Sequence, residues 1–267
     1  MEYRNLILEK KERIAKLILK RPQALNALNS ALLKEMLSAL EDVAADDAID
    51  VLIITGSGRA FCAGMDLKEL GRPFEEEADP LALVVAVFEK IDNFEKPVIA
   101  AVNGYAITGG FELAPCADII IASERAAFAD THARLGLVPG GGNSQRLPRL
   151  VGIKKAKEIL FTSNMIPAAE AERIGLVNRV VPADRLEEVA LEMAQTIVAA
   201  SQPSIRKIKA MINQGMKVDL GTGLLIEQVE YSRYRAQHKP EAVEAARRQV
   251  MERSRSLARE LEGKPEG

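Results

Sequence analysis

Cysteine and histidine are scarce in this 267-residue chain, with two of each. That scarcity excludes more chemistry than any other feature of the composition. A zinc site or a Ser-His-Asp triad would have to draw on His132 or His238. The sequence also has no His-Glu-x-x-His helix, no Cys-x-x-Cys pair and no Gly-x-Ser-x-Gly elbow. Cys62 and Cys116 are expected as buried free thiols, because an intracellular chain of this size needs no disulfide. Charge of one sign is lacking as well: 36 Lys and Arg face 38 Asp and Glu, for a formal charge of −2. With aromatics at 4% and no basic, aromatic-rich strip, no nucleic-acid partner is expected. No apolar run approaches the roughly 20 residues needed to span a bilayer. The first residues, Met1-Glu2-Tyr3-Arg4-Asn5, do not lead from a basic stretch into an apolar core. The expectation is a cytoplasmic protein without a membrane partner.

What is present is an ordinary globular composition, 48% hydrophobic and 28% charged. Apolar, β-branched residues from Leu6 to Leu19, interrupted by Glu9-Lys10-Lys11-Glu12, predict a hairpin. Leu32, Leu33, Met36, Leu37 and Leu40 recur at helical spacing behind Asn29 and Ser30, either of which can serve as N-cap. Val51–Thr55, Val98–Val102 and Asp118–Ala122 are short continuous apolar runs closed by turns, the pattern of strands buried on both faces. Beyond Val181-Pro182 the strand signals stop, and 184–200, 204–217, 221–238 and 240–262 read as helices. The fold class is α/β (α+β), a mixed layer structure.

Gly56-Ser57-Gly58 follows a buried strand, but the dinucleotide fingerprint needs a third glycine where Phe61 stands. Two other glycine-rich turns follow buried strands: Gly58-Arg59-Ala60-Phe61-Cys62-Ala63-Gly64-Met65-Asp66-Leu67, and Asn103-Gly104-Tyr105-Ala106-Ile107-Thr108-Gly109-Gly110-Phe111-Glu112-Leu113. Each lets the backbone approach a ligand closely, and each can open a helix whose first N–H groups are unpaired. Two such N–H groups facing each other make an oxyanion hole. Simple strand-to-helix turns are the alternative for either segment taken alone.

These two segments resemble the Ala-Phe-Cys-Ala-Gly-x-Asp-Leu and Asn-Gly-x-Ala-x-Gly-Gly-Gly-x-Glu-Leu motifs of the enoyl-CoA hydratase/isomerase (crotonase) family. Arg21-Pro22-Gln23-Ala24-Leu25-Asn26-Ala27-Leu28, Cys116-Ala117-Asp118-Ile119, Gly136-Leu137-Val138-Pro139-Gly140-Gly141 and Gln145-Arg146-Leu147 follow in the family's order and spacing. The resemblance covers roughly residues 5–200. It implies a crotonase-like spiral of ββα repeats over 1–200 that binds a coenzyme A thioester. It also implies a helical C-terminal region over 201–267 that assembles homotrimers or dimers of trimers. Met65 and Gly109 match the residues whose backbone N–H groups hold the thioester oxygen. Ala24, Ala63, Met65, Asp66, Leu67, Lys68 and Gly109 match contacts to coenzyme A, and Lys68 and Arg59 are candidate phosphate contacts or plain surface charge.

Glu112 matches one of the family's two catalytic glutamates, and His132 stands where the second is expected. An imidazole exchanges protons near neutral pH, so proton transfer survives the replacement. Asp130 is a possible accessory, as orienting partner or alternative acid, and shares a face with His132 only if this stretch is extended. Thr108 replaces the first glycine of the usual triplet, and Pro115 should end the helix of Glu112 early. The C-terminus, Ala245-Ala246-Arg247-Arg248-Gln249-Val250-Met251-Glu252-Arg253, lacks the family's Arg-Pro-x-Phe ending. The expected reaction is hydration of a trans-2-enoyl-CoA with Glu112 as base and His132 as proton donor. No metal or separate cofactor is called for, coenzyme A being part of the substrate. The alternatives are double-bond isomerisation or acyl-CoA or β-dicarbonyl hydrolysis using His132 and Asp130, and, in another class, a non-catalytic thioester-binding or RNA-binding relative.

Overall fold

The computed structural model describes residues 3–70 and 80–237, with 247, 248, 251, 254 and 255. The helix expected at 240–262 falls largely outside the described residues. The hairpin forms from β1 (Leu6–Lys11) and β2 (Ile14–Leu19) in antiparallel register. Its turn is the two-residue step Glu12-Arg13, both with positive φ, the geometry that matches strand twist. The turn therefore lies later than the charged stretch suggested: Glu9 to Lys11 continue the strand with exposed side chains.

After a short 3₁₀ turn at Pro22–Ala24, α1 (Ser30–Ala45) begins at Asn29, whose side chain accepts from Leu32 N at 3.0 Å. The chain then repeats a three-part unit. β3 (Val51–Gly56) leads to β4 (Ala60–Cys62), α2 (Leu67–Leu70) and α3 (Pro80–Asp92). β5 (Val98–Val102) leads to β6 (Tyr105–Ile107) and α4 (Gly109–Leu113). β7 (Ile119–Ser123) leads to β8 (Ala127–Ala129) and, after a loop, α5 (Asn143–Val151) and α6 (Ile153–Thr162). β9 (Ile166–Pro167), α7 (Ala168–Arg173), β10 (Arg179–Val181) and α8 (Leu186–Val198) complete the spiral. The first strand of each unit joins a six-stranded sheet ordered β1-β2-β3-β5-β7-β10, and the second joins a four-stranded sheet ordered β4-β6-β8-β9. Each turn of chain thus advances one place in both sheets at once.

Side-chain alternation explains why β3 and β5 are apolar throughout. Leu52, Ile54, Val98, Ala100 and Val102 face the main core with α1 and α3, whereas Val51, Ile53, Ile99 and Ala101 face α8 through Val189, Ala190 and Ala194. Asn103, at the step between β5 and β6, accepts from Gly56 N at 3.1 Å and donates to Gly58 O at 2.9 Å. Asn26, fully buried, donates to Ser57 O and Ala60 O. The asparagines of both sequence motifs are struts under the first glycine-rich turn.

Contacts group Met1–Arg206 into one unit and Lys207–Gly267 into another. α9 (Gln202–Gly215) enters the second unit, where α10 (Leu220–Ala236) starts at Asp219, whose carboxylate caps Thr222 N at 3.1 Å. No described residue of α10 is buried, and Leu220, Leu224, Leu225 and Val229 are exposed. No helix among the described residues is long and apolar enough to cross a membrane. Cys62 and Cys116 are buried free thiols, as expected, and burial pushes the Cys62 thiol up to about 12.

Candidate active site

The first glycine-rich turn is held against the N-terminal loop by backbone bonds: Ala63 N donates to Leu25 O, Leu28 N to Gly64 O at 2.7 Å, and Asp66 N to Leu28 O at 2.9 Å. Arg21 ties the two together by donating to Ala27 O and pairing with Asp66 at 2.9 Å. Asp66 is therefore engaged inside the turn, while Leu67 and Lys68 are exposed beyond it and Ala24 lies in the facing 3₁₀ turn. Arg59 is exposed near the start of the same segment.

The second turn meets the first at Gly64 and Gly109. Gly64 has φ +92°, and a Cβ there would lie 2.9 Å from Ile107 O and 3.1 Å from Gly109 N. A Cβ on Gly109 would lie 3.5 Å from Met65 N. The two turns pack closely at this point, Gly64 tolerating no Cβ and Gly109 leaving little room for one, which brings the N–H groups of Met65 and Gly109 together. Gly109 is the first residue of α4, where an N–H has no intrahelical acceptor, and Met65 faces Leu28 through its neighbours' amides. No acceptor engages either N–H among the described residues. Thr108, before the helix, carries φ 50° and ψ −109°, an uncommon conformation for a β-branched residue. Its hydroxyl meets that of Thr131 at 2.5 Å.

Pro115 does end α4 early: the helix stops at Leu113 and passes into a 3₁₀ turn at Ala114–Cys116. Five residues suffice to carry Glu112 into the interior, where it is 3% exposed. Its Oε1 accepts from Gly141 N at 2.8 Å and from Asn143 N at 3.5 Å. Gly141 is required here, since a Cβ would come within 2.8 Å of the Glu112 carboxyl. Its carbonyl in turn accepts from Arg146 at 2.5 Å, and Arg146 is anchored on Asp92, with Nε to Oδ1 at 3.1 Å.

Glu112 Oε2 faces His132 Nε2 at 3.9 Å. The other ring nitrogen, Nδ1, lies 2.9 Å from Asp130 Oδ1. Asp130 and His132 meet without an extended backbone: β8 ends at Ala129, and His132 is helical at φ −53°, ψ −49°. A turn brings them together, with the Asp130 carboxylate also accepting from His132 N at 3.1 Å. The shared face expected of a strand is replaced by this local bond. Burial raises the Glu112 carboxyl above its ordinary range despite the nearby imidazole and two backbone donors. Burial pulls His132 down, but the Asp130 hydrogen bond and charge, with Glu112 adding to them, hold it above its ordinary value. Burial likewise works against Asp130, and the bonds from His132 and Asn143 outweigh it and keep that carboxyl low. The arrangement is a carboxylate, on the helix that Gly109 opens, beside an imidazole whose protonated form is stabilised by Asp130 and Glu112.

Gly141, Asn143 and the Thr108–Thr131 pair contribute geometry that pattern reading of the sequence did not assign. The signal available was an asparagine opening a helix directly after Gly140-Gly141-Gly142. Among the described residues, no group of three His, Cys, Asp or Glu is arranged to hold a metal ion.

Comparison with known proteins agrees with the fold. The enoyl-CoA hydratase/isomerase family model matches residues 9–261. A crotonyl-CoA hydratase of Syntrophomonas wolfei is 46% identical over 229 residues, covering 85% of this chain and 88% of that protein. A short-chain-enoyl-CoA hydratase of Clostridium acetobutylicum is 43% identical with the same coverage. The crystal structure of an enoyl-CoA hydratase from Bacillus anthracis superposes with a TM-score of 0.87 at 36% identity, covering 93% of this chain and 97% of that one. The six- and four-stranded sheets, the two facing turns and this sequence match agree, and the chain belongs to the enoyl-CoA hydratase/isomerase family.

Proposed function

We propose that the protein hydrates a trans-2-enoyl-CoA to the 3-hydroxyacyl-CoA. The observation that carries this reading is the pairing of two unengaged N–H groups, at Met65 and Gly109, with a buried carboxylate and an imidazole 3.9 Å apart. The N–H pair donates to the thioester oxygen and stabilises the enolate, which makes the β-carbon electrophilic. Glu112, ionised and oriented by Gly141 N, takes a proton from water as its oxygen bonds to the β-carbon. His132, protonated at Nε2, delivers a proton to the α-carbon. The cycle closes when Glu112 returns its proton to His132 across their gap. One water is consumed and no electrons are exchanged, so the reaction calls for no separate cofactor. The hydratases of Syntrophomonas and Clostridium named above support the substrate class.

In this reading Ala24, Ala63, Leu67 and Lys68 receive the coenzyme A portion, and Asp66 serves by fixing the turn through Arg21. The proposal includes self-association as a trimer or dimer of trimers, supported by the exposed Leu220, Leu224, Leu225 and Val229 of α10. It also includes a cytoplasmic setting, which suits the two buried free thiols.

The test is to mix the protein with crotonyl-CoA and a medium-chain 2-enoyl-CoA, follow the conjugated thioester absorbance and weigh the product. Loss of absorbance with gain of one water is expected. An isomer of unchanged mass, or release of free thiol, would replace hydration by isomerisation or hydrolysis.

A further inference from the structure

We propose that Asn143 is a positioning residue for proton transfer, its side-chain amide holding Asp130 so that His132 presents Nε2, and never Nδ1, to Glu112. The inference rests on the hydratase reading for its catalytic consequence, but not for its geometry. Asn143 Nδ2 donates to Asp130 Oδ2 at 2.9 Å, while Asp130 Oδ1 takes the His132 bonds at 2.9 Å and 3.1 Å. Both carboxylate oxygens are thus occupied from different elements, α5 on one side and the His132 turn on the other, which fixes the plane of the carboxylate. With Nδ1 held by that acceptor, the ring proton sits on Nδ1 in the neutral imidazole and Nε2 is left to exchange protons with Glu112.

Asn143 reaches the other half of the pair as well, since its backbone N–H lies 3.5 Å from Glu112 Oε1. It is 1% exposed, and among the described residues Oδ1 has no hydrogen-bond partner. An uncompensated buried carbonyl is a cost to folding. The group of this amide that is bonded is its donor, Nδ2 on Asp130. Among the described residues, the charged groups acting on His132 are Asp130 on its own segment and Glu112 on α4, while Arg146 on α5 lies beyond Gly141 on the Glu112 side.

The test uses the whole protein labelled with ¹⁵N at histidine. Only His132 and His238 give imidazole signals, and His238→Gln identifies which is which. In ligand-free protein, well above its titration midpoint, His132 is expected as the Nδ1–H tautomer. The Nε2–H tautomer in the unmodified protein would overturn the proposal without any variant at position 143. Asn143→Leu keeps the shape and removes the donor. It is expected to give a mixture of tautomers and to lower kcat about 10- to 100-fold with KM within about threefold. Asn143→Asp is expected to be equally impaired above neutrality and to recover relative to the unmodified enzyme as pH falls. There the introduced carboxyl gains a proton and can again donate to Asp130. A purely structural role for Asn143 would show no such recovery. Unchanged tautomer and titration in both variants, with kcat within about twofold, would also overturn the proposal. Because the spectra need no substrate, failure of the hydratase reading would leave the tautomer test intact, and hydration with an insensitive tautomer would remove only this inference.

Discussion

The two halves of the site are built from different materials. The half formed by Met65 and Gly109 is backbone: its donors belong to every amino acid, do not titrate, and depend on Gly64, on the Asn26 and Asn103 struts and on the Arg21–Asp66 pair. The half formed by Glu112, His132, Asp130 and Asn143 is side chain, and three of its four members ionise. In the proposed mechanism, polarisation of a bound thioester is therefore expected to be insensitive to pH, while proton transfer is exposed to it. By the resemblance of its motifs to those of the family, the second half is also where the chain departs from the commonest pattern, His132 standing where a glutamate is expected. A site divided this way can change its acid–base chemistry without rebuilding its binding turn.

The sharpest division is expected from Glu112→Gln. The amide oxygen still accepts from Gly141 N, so binding survives, whereas loss of the general base lowers kcat by about 10³- to 10⁴-fold. Gly64→Ala attacks the other half. A Cβ at φ +92°, 2.9 Å from Ile107 O, must separate the two turns. Turnover should fall about 100-fold, with affinity for a coenzyme A thioester falling alongside it, as for loss of an oxyanion donor. Equal effects of the two variants on affinity, measured by calorimetry with an unreactive thioester, would erase the division. His132→Gln, read by steady-state kinetics, is expected to cost about 100-fold in kcat with little change in KM.

The contrast between the halves also predicts the pH profile. Glu112 must be ionised, so activity is lost as pH falls through a value above the ordinary glutamate range. His132 must be protonated, so activity is lost as pH rises through a value above its ordinary one of about 6.5. The rate should be bell-shaped in pH, with its alkaline limb missing in His132→Gln, while thioester affinity stays flat across the same range.

Much of this division was legible in the sequence because backbone sites announce themselves through glycine. Gly64 stands where a Cβ would collide with Ile107 O and Gly109 where one would crowd Gly64, and the apolar runs at Val51–Gly56 and Val98–Val102 placed them after buried strands. The side-chain half was less legible. Asp130 and Asn143 are 13 residues apart and meet only because the loop after β8 folds back to start α5. Strand alternation could put Asp130 and His132 on one face only if the backbone there were extended; the backbone turns instead, and the His132 amide donates to the Asp130 carboxylate at 3.1 Å. The Thr108–Thr131 hydroxyl contact was likewise beyond any pattern, since it joins two turns that are remote in sequence.

That contact supplies the smallest expected effect. Thr108→Gly relieves the positive-φ strain but loses the bond to Thr131, so the two terms should nearly cancel, within about 1 kcal/mol in a denaturant titration. Activity should stay within about threefold, because neither N–H donor is removed. A large loss of turnover would show that the backbone half leans on side chains more than its geometry implies.

The most direct test of the division joins binding and turnover in one variant: Glu112→Gln is titrated with an unreactive coenzyme A thioester and then mixed with crotonyl-CoA. The account predicts affinity within about threefold of the unmodified protein and loss of conjugated-thioester absorbance slowed at least about 10³-fold. Hydration at a normal rate, or affinity lost in step with turnover, would contradict it.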